Sequence, residues 1–204
     1  MANGIEHMAD AKRVFIIHGW GGYPDEGSFP WLKKELEARG FLVQNPAMPD
    51  PLEPKLGVWV LYLAQLIGEP DENTILFGHS IGTQTILRYL AELPGGKRVG
   101  GAVLLAPWVH LTDAAYETPE DREIAKPWLE TPIDFAAARR HAGKFVTVFS
   151  DNDSLVPLDD AKIFAQELGA RIIVEHRQGH FSGSDGVKEL PSALQAVLDI
   201  AGRT

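Results

Sequence analysis

The sequence predicts an α/β fold: a six-stranded, mainly parallel sheet with helices on both faces. Three observations carry that expectation. Six short runs are apolar almost throughout, as strands covered on both sides are, rather than alternating like those of a half-solvated sheet. Helical patterns lie between most of them, which is what right-handed parallel crossovers require. A hydrophobic content of 45% over 204 residues suits one compact domain with a real core and leaves no room for a second.

In chain order, the strands are expected at "RVFIIH" (13–18), "FLVQNP" (41–46), the run Ile75, Leu76 and Phe77, "VGGAVLLA" (99–106), "KFVTVFS" (144–150) and "ARIIVEH" (170–176). Phe29, Leu32 and Leu36 share a helical face that ends at Gly40, read as a C-cap. Residues 55–67, "KLGVWVLYLAQLI", are apolar almost all round, which predicts deep burial or a subunit contact. Ile86, Leu87, Leu90 and Leu93 recur at helical spacing until Pro94-Gly95. Ala161, Phe164, Ala165 and Leu168 run to Gly169, and a last helix follows Pro191, with Leu194, Val197, Leu198 and Ala201 on its face.

Residues 107–142 separate two strands by far more than a usual connection. They read as a small cap whose Trp108, Tyr116 and Trp128 wall a substrate pocket, with plain helix packing as the competing reading. Residues 1–11, with an internal His7-Met8 pair, read as a disordered N-terminus or a cloning remnant, leaving a single domain over 12–204.

A net charge of −9 and a pI near 5.2 argue against nucleic-acid binding and against anchoring on anionic lipid. With no cysteine there is no disulfide framework, thiolate nucleophile or cysteine metal site. Residues 1–12 lack the apolar core of a signal peptide and no segment reaches membrane-spanning length, so the expected location is cytoplasmic.

The chemistry is written at 78–82, "GHSIG". A G-x-S-x-G run carries meaning where a buried strand turns sharply into a helix, because that turn lifts the serine oxygen above the sheet edge. Strand, turn and helix are all present here, and Ser80 is the candidate nucleophile. A serine hydroxyl needs a base to take its proton and an acid to orient that base, at the ends of later strands. Of the seven histidines, His180 alone follows the last strand in a glycine-flanked loop, "RQGHFSG". His176 at the strand end reads as structural, His79 as facing away from the turn, His110 and His141 as parts of the insertion, and His18 as structural. Asp153 in "DNDSLVP" lies one turn further from its strand than Asp151, so Asp153 is the candidate acid and Asp151 a maker of turn hydrogen bonds. "DNDSLVPLDDAK" is not a calcium loop: Leu155 takes a ligand position, the glycine is missing and Lys162 stands for the closing glutamate. The loop "HGWGG" after the first strand nominates the Trp20 backbone N–H, with that of Ile81, as oxyanion donors. It is not a dinucleotide loop, since Pro24 occupies the place of the third glycine.

With "HGWGG", "WLKKELEARGF", "NPAMPDPLEP", "GHSIG", "KPW" (126–128), "DNDSLVP" and "GHFSG", the chain resembles the α/β hydrolases. Within them it resembles the small serine hydrolases grouped with retinoblastoma-binding protein nine and their bacterial relatives. The resemblance covers nearly the whole chain. It implies Ser80 as nucleophile, Asp153 as acid and His180 as base, and a sheet without the first two strands of larger hydrolases. It also implies esterase or amidase activity. The pocket-protein motif of one branch has no counterpart, since residues 68–72 read "GEPDE". The expected activity is hydrolysis of carboxylic esters, small amides or thioesters through an acyl-serine, with no metal or organic cofactor. Transfer to an acceptor other than water, and a catalytically idle binding module, are the alternatives. Oligomeric state is left open.

Overall fold

The computed structural model describes residues 11–203; the expected N-terminal segment falls almost wholly outside them. Six strands form one sheet in the order β2-β1-β3-β4-β5-β6, and every pairing is parallel. They are β1 (Arg13–Ile17), β2 (Leu42–Gln44), β3 (Thr74–His79), β4 (Gly101–Leu105), β5 (Phe145–Ser150) and β6 (Arg171–Glu175). The helices are α1 (Phe29–Glu37), α2 (Leu56–Ile67), α3 (Ile81–Glu92), α4 (Pro119–Glu130), α5 (Phe135–Arg140), α6 (Asp160–Leu168) and α7 (Pro191–Ala201).

The two-residue period of each strand splits the core into two layers. Val14, Ile16, Ile75, Phe77, Val103 and Leu105 face α1 and α7, packing on Phe29, Leu32, Ala193 and Val197. Phe15, Ile17, Leu76, Ala102 and Leu104 face the other way, toward Trp59, Leu63, Ile86, Leu87, Leu90 and Phe164. The central strands β3, β4 and β5 are buried throughout, which is why their sequences carry no polar alternation. The edge strands β2 and β6 are partly exposed.

Three expectations are corrected. Helix α1 ends at Glu37 rather than running to Gly40, whose φ of 80° instead turns the chain into β2. Helix α2 is not buried all round: Trp59, Val60, Leu63 and Ile67 face the core, while Val58 and Leu61 face solvent. The insertion is only partly a cap. Its helix α4 sends Trp128 into the core, edge-on to Trp59 with ring centroids 6.2 Å apart, and the indole N–H donates to the Pro54 carbonyl at 2.9 Å. A buried indole needs such an acceptor, and this one holds the ring in the core rather than at the pocket. Buried Arg88 of α3 ties down the end of α4 by donating to the Trp128 and Thr131 carbonyls. Among the described residues, no helix is long and apolar enough to cross a membrane.

The strand order reverses direction at β1, between β2 and β3, and a crevice opens above the carboxyl ends of strands at such a point. Every element described next hangs from the carboxyl end of a strand.

Candidate active site

Ser80 stands at the junction of β3 and α3 with φ 52° and ψ −120°, a left-handed conformation that costs a non-glycine residue about 1–3 kcal/mol. The surrounding bonds over-determine it. Its N–H donates to the Leu105 carbonyl at 2.9 Å, and its carbonyl accepts from the Thr83 N–H and hydroxyl. The helix must start so close to β1 that a Cβ on Gly82 would sit 2.5 Å from the Ile17 carbonyl oxygen. The glycines of the motif are therefore packing requirements as well as turn formers.

After β1, the loop Gly19–Gly22 reaches the same spot. It is braced from the segment that follows β2: Gly21 N–H donates to the Pro51 carbonyl at 2.7 Å and the Trp20 indole to the Leu52 carbonyl at 2.9 Å. His18 is part of this brace. Its Nδ1–H donates to the Gly19 carbonyl at 2.8 Å, while its Nε2 accepts the Met48 N–H at 2.9 Å. Only the neutral imidazole can do both, and burial lowers its pKa accordingly. The backbone N–H groups of Trp20 and Ile81 make no hydrogen bond within the protein among the described residues. Ile81 opens the twelve-residue helix α3, so its free N–H lies at the positive end of the helix dipole.

The loops after β5 and β6 are stitched together residue by residue. Ser150 Oγ accepts from Gln178 N–H, and Asp151 takes the Arg177 N–H and the His176 imidazole. Asn152 accepts from Gly179 N–H at 2.9 Å, and Asp153 Oδ2 meets His180 Nδ1 at 2.8 Å. The other oxygen of Asp153 accepts the N–H groups of Leu155 and Val156. The Asp153 carboxylate is only 3% exposed and the His180 ring 12%. Since a carboxylate can only accept, His180 carries its proton on Nδ1 and turns a lone pair on Nε2 outward. By contrast Asp151 and His176 form an exposed pair. The hydrogen bond between them, and then their mutual attraction, lowers the pKa of Asp151 and raises that of His176.

His79 holds the histidine loop from below. Its ring is buried, lies 5.0 Å from the His180 ring, and donates from Nε2 to the His180 carbonyl at 2.7 Å. Its Nδ1 has no partner, and a Cβ on Gly19 would lie 3.0 Å from it. Burial, reinforced by nearby His180, pushes its pKa down to about 3. The sign of the linkage follows: between about 3 and the ordinary histidine value of 6.5 the unfolded chain binds a proton that the folded chain refuses. This contribution to stability is complete above pH 6.5 and falls below it, by up to about 1.4 kcal/mol per pH unit. Urea unfolding at pH 7.5 and 5.0 checks this. His79→Gln, which keeps a donor but does not titrate, should lose about 2 kcal/mol less than the native chain over that interval.

Ser80 and His180 share a pocket of about 160 Å³ with Trp20, Ile81, Trp108, Leu111, Ala115 and Leu155. Apart from Ser80 and His180 the lining is apolar. Of the three aromatic residues expected there, Trp108 lines the pocket, whereas Tyr116 stacks under the Arg122 guanidinium and Trp128 lies in the core. Leu111, Ala115 and Leu155 were not anticipated, and only the position of Leu155 beside Asp153 hinted at them. A larger cavity at the opposite end of the sheet, lined by Arg98, Lys144 and Arg171, is remote from these groups. Among the described residues Ser80 Oγ has no hydrogen-bond partner. No cluster of metal-ligating side chains occurs among the described residues.

Comparison with known proteins agrees with this architecture. YdeN of Bacillus subtilis is 31% identical over 180 residues, spanning 88% of this chain and 91% of YdeN. Its crystal structure superposes with a TM-score of 0.86 over 95% of this chain and 100% of that one. Serine hydrolase RBBP9 of Rattus norvegicus is 24% identical over 94% of this chain and 98% of its own length. Est1E of Butyrivibrio proteoclasticus, solved with ferulic acid bound, shares the fold with a TM-score of 0.70 at 13% identity, over 95% and 91% of the two chains. The profile described as "Serine hydrolase" matches residues 14–199, and the chain belongs to that family.

Proposed function

We propose that the chain hydrolyses short-chain carboxylic esters through an acyl-serine intermediate. The observation that carries this reading is the His180 ring, held by Asp153 on one nitrogen and sharing a small apolar pocket with Ser80 on its other side. In this mechanism Ser80 Oγ attacks the ester carbonyl while His180 Nε2 takes the hydroxyl proton. The carbonyl oxygen, now negative, accepts from the Trp20 and Ile81 N–H groups, each such donor contributing about 10²–10³ in rate. Collapse of the tetrahedral intermediate breaks the bond to the alcohol, which leaves with the proton from His180. Water, deprotonated by the same nitrogen, then attacks the acyl-serine and releases the carboxylic acid. Asp153 keeps the imidazole in the required tautomer and offsets the charge it gains.

The size of the pocket favours a short acyl group, since about 160 Å³ lies well below the roughly 300–1,000 Å³ of sites for drug-sized ligands. Its apolar lining favours an uncharged one. Small amides and thioesters share the same chemistry and are slower or rarer substrates in this reading. The partners are then a small-molecule substrate and water.

Intact mass after incubation with a fluorophosphonate probe tests the proposal. The native protein should gain one adduct, mapping to Ser80, and Ser80→Ala should gain none. A folded native protein that stays unlabelled, and turns over no p-nitrophenyl ester, would favour a catalytically idle binding module instead.

A further inference from the structure

Asp160 is a buried carboxylate that the proposed chemistry does not use. It opens α6, and its side chain is 3% exposed. One oxygen accepts the backbone N–H groups of Val109 and His110 at 2.7 and 2.9 Å, and the other meets His110 Nδ1 at 2.6 Å. All three donors belong to the segment that follows β4, and this segment carries Trp108, Leu111 and Ala115 into the pocket.

Burying a carboxylate costs several kcal/mol unless its lone pairs are met, and here they are met entirely from one loop. The neighbouring anchors act on either side of the same point. Gln84 of α3 donates to the Trp108 carbonyl, and Thr112 bonds back to the Ser154 and Leu155 carbonyls. Between them, Asp160 is the acceptor of the Val109 and His110 N–H groups. Without it those two donors face inward with no acceptor, and the wall must move to reach water.

We propose that Asp160 is a positioning residue that fixes the Trp108–Ala115 wall and thereby limits the length of the acyl group admitted; this rests on the esterase reading above. An alanine in its place offers no acceptor to either N–H, so the wall detaches locally while Ser80, Asp153 and His180 keep their own supports.

The test is kcat and KM on p-nitrophenyl butyrate and octanoate for the native chain, Asp160→Ala and His110→Ala, with thermal melts and fluorophosphonate labelling of each. In the native chain the butyrate should be the better substrate. In Asp160→Ala the octanoate-to-butyrate ratio of kcat/KM should rise about tenfold, mainly through KM, a size of effect typical of pocket fit. His110→Ala, which keeps both backbone bonds, should shift the ratio in the same direction by less. A merely structural role would lower both esters together and leave the ratio unmoved, and that outcome overturns the inference. If Asp160→Ala fails to fold, an unmoved ratio in His110→Ala overturns it equally. A native chain that neither labels nor hydrolyses either ester refutes the esterase reading, whereas an active native chain with unmoved ratios refutes the role of Asp160 alone.

Discussion

Asp153→Asn is expected to lower kcat by about 10⁴-fold while leaving the protein folded. The reason is a single proton. Asp153 Oδ1 accepts the Leu155 and Val156 N–H groups, and an asparagine oxygen can do the same, which fixes the orientation of the new side chain. Its NH₂ then points at His180 Nδ1, where the carboxylate had accepted at 2.8 Å. Two donors cannot face each other, so the imidazole shifts its proton to Nε2 and loses the lone pair that must receive the proton of Ser80. Steady-state hydrolysis of p-nitrophenyl butyrate, with circular dichroism melts as control, reads the effect. Asp151→Asn is the matched comparison, because its histidine partner is solvent-exposed and should cost less than about tenfold. Equal losses from the two variants would sink the assignment of the acid.

Gly82→Ala is expected to damage stability and activity together. The added Cβ would lie 2.5 Å from the Ile17 carbonyl oxygen and 2.7 Å from that of His18. Both are backbone atoms of the central region of the sheet, so neither can swing aside as a side chain would. The start of α3 must instead lift away from β1, at a cost of about 2–4 kcal/mol. For a chain of this size that is a fall in Tm of roughly 5–15 °C. The same displacement carries Ser80 and the Ile81 N–H away from the Trp20 loop, and misplacement by about 1 Å costs on the order of 10²-fold in rate. A melt and a rate measured on one preparation check both. Wild-type stability would mean that the helix and β1 are less tightly apposed than described.

The sheet and the serine were legible because their signals are local. A strand buried on both faces must be apolar, a sharp strand-to-helix turn must carry small residues, and a histidine in a glycine-flanked loop after the last strand has few structural duties. The choice of Asp153 over Asp151 turned on reach: both carboxylates bond the loop after β6, and the one two residues further along meets His180. The pocket wall was not. Trp128 sits among charges in the sequence and reads as well for a lid as for the core; only the Pro54 carbonyl, 74 residues away, settles its direction. Leu111, Ala115 and Leu155 have no periodic neighbours to mark which way they face. His79 fills a variable place of the 78–82 run and Asp160 stands outside any motif, and what makes each matter is a bond to a distant loop. Helix α2 is the opposite case: its composition is apolar almost all round, and composition alone does not tell which side the sheet will take.

The four-residue stitch between the loops after β5 and β6 has a thermodynamic consequence. β6 is an edge strand with β5 as its sole neighbour in the sheet, and Arg171 and Val174 on it are exposed. Edge elements open with a lower free energy than the centre of a sheet. The proposed nucleophile hangs from a fully buried strand, while its proposed base hangs from an edge strand. Competence therefore has a ceiling of its own, beneath that of the fold. Each brief excursion of the edge uncouples His180 from Ser80 with the hydrophobic layers still closed, so the fraction of time spent active is set at the rim of the molecule and not in its core.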